Sequence, residues 1–216
     1  MKPTLLSDVD GVVADLMRGF AIWLDEDYNV QIDPADITKS HVAECELLCE
    51  QNEQLLRIFP ETCEGGDGGI QGALSHFLET DDVYRRYVGL VPEAKEALAV
   101  LQGYVDIIFV TANMTRVPKS YVSKYWWLKK HFPNIPIITS PSGLKHMVRG
   151  EFAVDDRYDI CQRWQTAGVR SFLFSQPWSE APDGSMKYDW SRIVADVILS
   201  LELMDLREKG SFNGEF

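Results

Sequence analysis

No apolar run in the 216 residues approaches the ~18 needed for a membrane-spanning helix, so no transmembrane helix is expected. The start, Met1-Lys2-Pro3-Thr4, leads straight into a strand-like run, without the apolar stretch and small-residue cleavage site of a signal peptide. Cysteine is scarce. Cys45, Cys49, Cys63 and Cys161 form no paired framework, and a chain of this length needs no disulfide staples. A cytoplasmic location is the expectation. Positive charge is also short, with 21 Lys and Arg against 33 Asp and Glu and a formal net charge of −12. A nucleic-acid backbone would be repelled overall, whereas a small anion stays admissible where a metal and a few local cations offset the field. There is no internal repeat and no low-complexity tract. The glycine cluster Gly65-Gly66-Asp67-Gly68-Gly69 lacks the Lys-Ser/Thr of a phosphate loop and reads as a lid connection.

What is present is an alternation of short apolar strands and helices. Strand-like runs are Thr4 to Ser7, Val105 to Val110, Ile135 to Thr139, Phe152 to Val154 and Ser171 to Phe174. Helical patterns cover Glu93 to Gln102, Pro118 to His131, Tyr158 to Ala167 and Asp189 to Met204, with Pro92 and Pro118 where a first turn tolerates proline. Nearly continuous apolar strands alternating with helices predict an α/β fold, a doubly wound parallel sheet covered on both faces. Residues 16–89 break that rhythm, with helical candidates at Met17 to Glu26, His41 to Ile58 and Ile70 to Leu78. They are expected to form a small helical cap inserted after the first strand, over a core of 1–15 and 90–216.

The most informative stretch is Asp8-Val9-Asp10-Gly11, directly behind Leu5-Leu6. Strand alternation would point both carboxylates to one side. Such a pair holds a cation or keeps a proton on one member. Gly11 would let the backbone turn and leave main-chain N–H groups near Gly11 and Val12 free for an anion. Three further polar stations follow predicted strands: Thr111, Lys145, and Asp155-Asp156. Singly, Thr111 reads as a cap, Lys145 as a solvated lysine and the Asp pair as a helix cap. Together they occupy the strand ends where parallel sheets place ligands. Their chemistry suits metal-assisted phosphoryl transfer, with a carboxylate nucleophile, oxygen ligands for Mg²⁺, a cation and hydroxyl for phosphate, and a second carboxyl for the proton.

The order Asp8-x-Asp10-Gly11-x-x-x-Asp15, apolar run then Thr111, Lys145, apolar run then Asp155-Asp156 resembles the haloacid dehalogenase superfamily of aspartyl-phosphate phosphatases. Within it, Asp8 to Asp15, Ser123-Lys124-Tyr125-Trp126-Trp127 and Val154 to Ile160 resemble the 5′(3′)-deoxyribonucleotidase family, over about 1–15 and 90–205. The resemblance implies Asp8 as nucleophile and Asp10 as general acid/base, its carbonyl also on the metal. Asp156 would ligate Mg²⁺ directly and Asp155 through water. Gly11, Val12, Thr111, Ala112 and Lys145 would hold phosphate. Ala112 stands where the family has Ser, and Thr115, beside Arg116, where it has Lys. The implied partner is a nucleoside monophosphate, with neither nucleic acid nor membrane, and a homodimer is left open.

Discrimination of the nucleoside is expected from the lid and the loop after Thr111. Phe20, Asn113 and Arg116 are candidates, together with the aromatics Trp23, Phe59 and Phe77. His41, Cys45 and Cys49 fall at i, i+4, i+8 and with Cys63 could bind zinc; the plainer reading is packing in a helical lid. The alternatives to a nucleotidase are a phosphatase for another small ester, such as a sugar phosphate, and a catalytically weak nucleotide-binding regulator.

Overall fold

The computed structural model describes residues 2–39, 42–60, 68–112 and 118–208. The chain opens with β1 (Thr4–Ser7), turns, and forms the short β2 (Ala14–Asp15). Helices α1 (Leu16–Tyr28), α2 (Cys49–Ile58), α3 (Gly69–Glu79) and α4 (Val83–Tyr87) follow, and β3 (Gly89–Leu90) returns antiparallel to β2. Next come α5 (Ala94–Leu101), β4 (Asp106–Thr111), α6 (Pro118–His131), β5 (Ile137–Thr139) and β6 (Phe152–Asp155). The described chain closes with α7 (Tyr158–Thr166), β7 (Arg170–Phe174), β8 (Lys187–Tyr188) and α8 (Trp190–Glu208).

Six strands form one sheet in the order β5-β4-β1-β6-β7-β8, with every neighbouring pair parallel. Side chains alternate between its faces. Leu5, Ile107, Phe109, Phe152 and Val154 share one apolar cluster with Leu98 and Leu101 of α5, Leu128 of α6 and Ile193 of α8. Leu6, Val110 and Ala153 share the other with Ile160 and Trp164 of α7. Leu5 and Leu6 are both fully buried, each burial contributing about 1.5–3 kcal/mol. The sheet is thus covered on both faces, as its continuous apolar strands require, and β1 lies near its middle.

Among the described residues between 16 and 88, none belongs to a strand of the main sheet. The β2–β3 ribbon, with Ala14 opposite Leu90 and Asp15 opposite Gly89, brings the two ends of that segment side by side. The Asp15 side chain caps α1 by accepting from Arg18 N at 3.4 Å. At Gly19 a Cβ would lie 2.9 Å from the Tyr87 carbonyl, so α1 crosses the end of α4 at a distance only glycine permits. The apolar interior here, with Phe20, Trp23, Leu55 and Phe77, is continuous with the sheet face of Leu5 and Phe109. Among the described residues no helix is long and apolar enough to cross a membrane.

The helix expected over His41 to Ile58 is broken. Short 3₁₀ turns at Val42–Glu44 and Glu46–Leu48 precede α2, and the backbone at Cys45 is extended. These turns bury Val42, Cys45 and Leu48, while Cys49 faces solvent. The two cysteines therefore do not share a face, and His41 and Cys63 lie outside the described residues.

Candidate active site

Asp8 continues the line of β1, its N–H donating to Val154 O at 2.9 Å. The pleat ends there. Val9 O accepts from the N–H groups of both Val13 and Ala14 at 2.8 Å, so a tight turn, not strand alternation, orients Asp10. The N–H groups of Gly11 and Val12 are engaged inside this turn, with Ala14 O at 2.9 Å and Val9 O at 3.3 Å. The expectation that they stand free for phosphate is corrected accordingly. Gly11 has another role. Its φ is +79°, and a Cβ there would sit 2.2 Å from Asp156 Oδ2. The absent side chain is what admits the Asp156 carboxylate.

The two carboxylates meet different partners. Asp8 Oδ2 lies 2.6 Å from Lys145 Nζ, which also reaches Asp155 Oδ2 at 2.9 Å. Lys145 rides on the 3₁₀ turn Ser142–Met147 that follows β5. Asp155 is the last residue of β6, and its Oδ1 accepts from Arg157 N at 3.0 Å. Asp156 is next, its Oδ2 accepting from the Trp178 indole at 2.6 Å and its carbonyl from Ser179 Oγ at 2.7 Å. Asp10 borders the same cavity as Asp8 and Asp156 but has different partners. Its Oδ1 accepts from the Tyr84 hydroxyl at 2.6 Å, and its Oδ2 pairs with Lys124 Nζ at 2.5 Å. Lys124 also donates to Thr111 Oγ1 at 3.1 Å and Ala112 O at 3.3 Å, tying the end of β4 to the Asp10 turn.

Asp8, Asp155 and Asp156 are buried, with one oxygen from each within 4.8 Å of the others. Burial pushes the Asp8 carboxyl up to about 7; Lys145 opposes this, while Asp155 and Asp10 add to it. Burial also holds Asp156 well above the ordinary carboxylate range, reinforced by the charges of Asp155 and Asp8. Burial alone would lower Lys145, but Asp8 and Asp155 outweigh it, so the lysine stays charged. Three buried carboxylates against one ammonium leave excess negative charge, and every donor is oxygen. Such a set fits a small hard divalent cation.

Above these groups opens a cavity of about 360 Å³, floored by Asp8, Asp10, Lys145 and Asp156 and bordered by Ala112. Leu16, Met17, Gln71, Leu74, Leu78 and Trp178 form its upper wall. A second cavity of about 970 Å³ lies outside α1 and contains neither Asp8, Asp10 nor Lys145. Phe20 does not reach either one. Its ring is fully buried against Trp23 and Phe77, which corrects its assignment to the substrate. Asn113 and Arg116 lie outside the described residues.

Residues 69–201, more than half of the chain, match the model of the family described as 5′ nucleotidase, deoxy (Pyrimidine), cytosolic type C protein. The chain belongs to this 5′ nucleotidase family. The segment matched to the nucleotidase family holds Tyr84, Thr111, Lys124, Lys145, Asp155, Asp156 and Trp178, and begins after Asp8 and Asp10. The chain is similar to two Staphylococcus aureus proteins, of strains Mu50 and MRSA252, each named "Putative 5'(3')-deoxyribonucleotidase". Identity is 33% over 72 residues, which are 33% of this chain. The chain spans 39% of the length of these curated relatives.

Among solved structures, a haloacid dehalogenase-like hydrolase of Streptococcus pneumoniae aligns with a TM-score of 0.50 and 13% identity, over 91% of this chain and 98% of that one. A haloacid dehalogenase-like hydrolase of Xanthomonas campestris aligns with a TM-score of 0.52 and 12% identity, over 96% of this chain and 94% of that one. These likenesses speak for the fold, which is that of the haloacid dehalogenase-like proteins.

Three contacts were not legible as functional beforehand. Lys124 stands in a motif with no role attached to it, and Tyr84 sits on a five-residue helix with no periodicity. Trp178 follows β7 in the loop Ser175-Gln176-Pro177-Trp178-Ser179. The rule that picked Thr111 and Asp155, polar residues past the carboxyl end of a parallel strand, applies to that loop too.

Proposed function

We propose that the protein is a Mg²⁺-dependent phosphatase that hydrolyses (deoxy)nucleoside monophosphates through an aspartyl-phosphate on Asp8. The observation that carries this reading is the division between Asp8 and Asp10. Asp8 lies beside Lys145 and two further carboxylates, while Asp10 is held apart by a tyrosine and a lysine. That division supports Asp8 as the group that attacks phosphorus and Asp10 as the one that moves a proton.

Asp8, Asp156 and the main-chain carbonyl of Asp10 would hold the Mg²⁺, with Asp155 behind them on Lys145. The chemistry supplied by a bound Mg²⁺ is charge neutralisation at the phosphoryl oxygens. An Asp8 oxygen forms the bond to phosphorus as the ester P–O bond breaks, and the leaving alkoxide takes a proton from Asp10. Tyr84 and Lys124 receive the Asp10 carboxylate so formed, each through a hydrogen bond. Water then attacks phosphorus, Asp10 takes its proton, and the bond to Asp8 breaks to release orthophosphate. Lys145, at the floor of the cavity, balances the phosphate charge, and Thr111 at the end of β4 is the proposed hydroxyl contact.

Residues 16–89 serve as the cap and bring Leu16, Met17, Gln71, Leu74 and Leu78 to the cavity, where they would meet the nucleoside. Membership of the 5′ nucleotidase family supports a nucleotide over a sugar phosphate. A phosphate-release screen over deoxy- and ribonucleoside monophosphates and sugar phosphates, with Mg²⁺ and with chelator, tests the reading. Turnover of nucleotides only with metal is expected; sugar phosphates as the preferred substrates, or full activity in chelator, would overturn it.

A further inference from the structure

Beyond the carboxylates and Lys145, the cavity is lined mainly by apolar side chains, with polar groups at Gln71, Ser142 and Arg157, the last two hydrogen-bonded to each other. Leu16, Met17, Leu74 and Leu78 contribute hydrocarbon, and Gln71 contributes a carboxamide. Gln71, Leu74 and Leu78 follow the i, i+3, i+7 spacing of one helix face on α3, so the amide is carried on the face that looks into the cavity. Gln71 is only 9% exposed, and among the described residues its side chain has no hydrogen-bond partner. A carboxamide offers two donors and an acceptor, and keeping it unpaired in a largely apolar wall is costly. The amide atoms are open to the cavity, where a ligand would meet them.

We propose that Gln71 is the specificity-determining residue that reads the nucleobase, its carboxamide pairing with the hydrogen-bonding edge of a pyrimidine. This deepens the nucleotide-phosphatase reading and rests on it. A base is flat and apolar on its faces but polar along one edge, and the wall has the matching composition. A cavity of about 360 Å³ falls within the roughly 300–1,000 Å³ range of ligand sites. Thymine and uracil set N3–H beside O4, and cytosine sets its amino group beside N3. A carboxamide has donor and acceptor side by side and meets either pattern by a flip about its last torsion. Gln71 therefore accepts either pyrimidine edge pattern and disfavours a substrate that brings no such edge.

The test uses the full chain with Mg²⁺ and two variants: Gln71→Met, which keeps the volume and removes both hydrogen-bonding functions, and Gln71→Glu, which keeps the length and removes the donor. The readout is the ratio of kcat/KM for thymidine 5′-monophosphate to that for deoxyribose 5-phosphate, which carries the same ester and no base. Because each variant is compared with itself, partial loss of folded protein cancels. A fall in that ratio of about 10- to 100-fold in both variants is expected, since the base edge is left unpaired in a dry site. Calorimetric binding of thymidine, which needs no turnover, should weaken in parallel. A wild-type enzyme that prefers thymidine monophosphate, with variants of unchanged ratio and unchanged thymidine affinity, would overturn the role of Gln71 alone. A wild-type enzyme that turns over deoxyribose 5-phosphate and no nucleotide would overturn the nucleotide reading and this inference with it.

Discussion

The Tyr84 hydroxyl donates to Asp10 Oδ1 at 2.6 Å, joining α4 to the turn that carries the proposed acid–base residue, 74 positions away in sequence. Burial, then the charge of Asp10, holds the Tyr84 phenol well above its ordinary range, so it remains a donor throughout neutral pH. In the proposed mechanism its bond would stabilise the Asp10 carboxylate formed once the leaving group has taken its proton. Tyr84→Phe should therefore lower kcat for a nucleoside monophosphate by about 10-fold with little change in KM, the worth of one hydrogen bond to a charged group. With 4-nitrophenyl phosphate, whose leaving group needs no proton, the loss should be smaller. An equal loss on both esters would show that Tyr84 only holds the fold.

Gly11→Ala should inactivate the enzyme without touching any reacting group. The new methyl would have to displace the Asp156 carboxylate, and the left-handed backbone adds about 1–3 kcal/mol of strain. Thermal melting should show a moderately less stable but folded protein, and phosphate release should be nearly lost. Wild-type turnover in this variant would mean that Asp156 need not sit where it does.

Without metal, stability should fall as pH rises. The folded pKa of Asp8 is about 7 against an ordinary 3.8, and that of Asp156 is raised in the same direction. The folded state therefore keeps protons that the unfolded chain releases between those values. The stabilisation is complete below the unfolded pKa and is lost as pH climbs through the folded one. In chelator the melting temperature should be lower at about pH 8 than at about pH 5.5, and Mg²⁺ should raise it more at the higher pH, because metal and protons compete for the same carboxylates. A chelated protein that gains stability between those two pH values would contradict the charge balance described for Asp8, Asp155, Asp156 and Lys145.

Trp178 orients Asp156 through its indole N–H. Trp178→Phe keeps the ring and removes the hydrogen bond. Metal affinity, read by calorimetric titration with Mg²⁺, should weaken by about 10- to 100-fold, as for other partners of metal-ligating carboxylates. An unchanged affinity would make the tryptophan merely a wall of the cavity.

Much of this was legible in the chain. β1, β4, β6 and β7 are short apolar runs because both faces of a parallel sheet are buried, and the polar residues just past them stand out for the same reason. The rest depended on contacts that periodicity does not carry. Strands β2, β3 and β8 are two residues long and exist only through their pairing. Asp10 looked like a strand residue because the turn at Val9 is closed by main-chain bonds that no side chain advertises. Phe20 was expected at the substrate because it is aromatic and lies in the cap; helix spacing marks a buried face but not what that face meets. Tyr84 and Lys124 reach Asp10 across 74 and 114 residues, and tertiary packing alone brings them there.

In the proposed mechanism Asp8 attacks phosphorus. The most direct measurement is release of orthophosphate from thymidine 5′-monophosphate by the wild-type protein and by Asp8→Asn, both saturated with Mg²⁺ and shown by circular dichroism to be folded. Asn keeps the shape of the side chain and removes the nucleophilic charge, so turnover should drop by at least about 10³-fold. Hydrolysis by Asp8→Asn at the wild-type rate would contradict a covalent route through this residue.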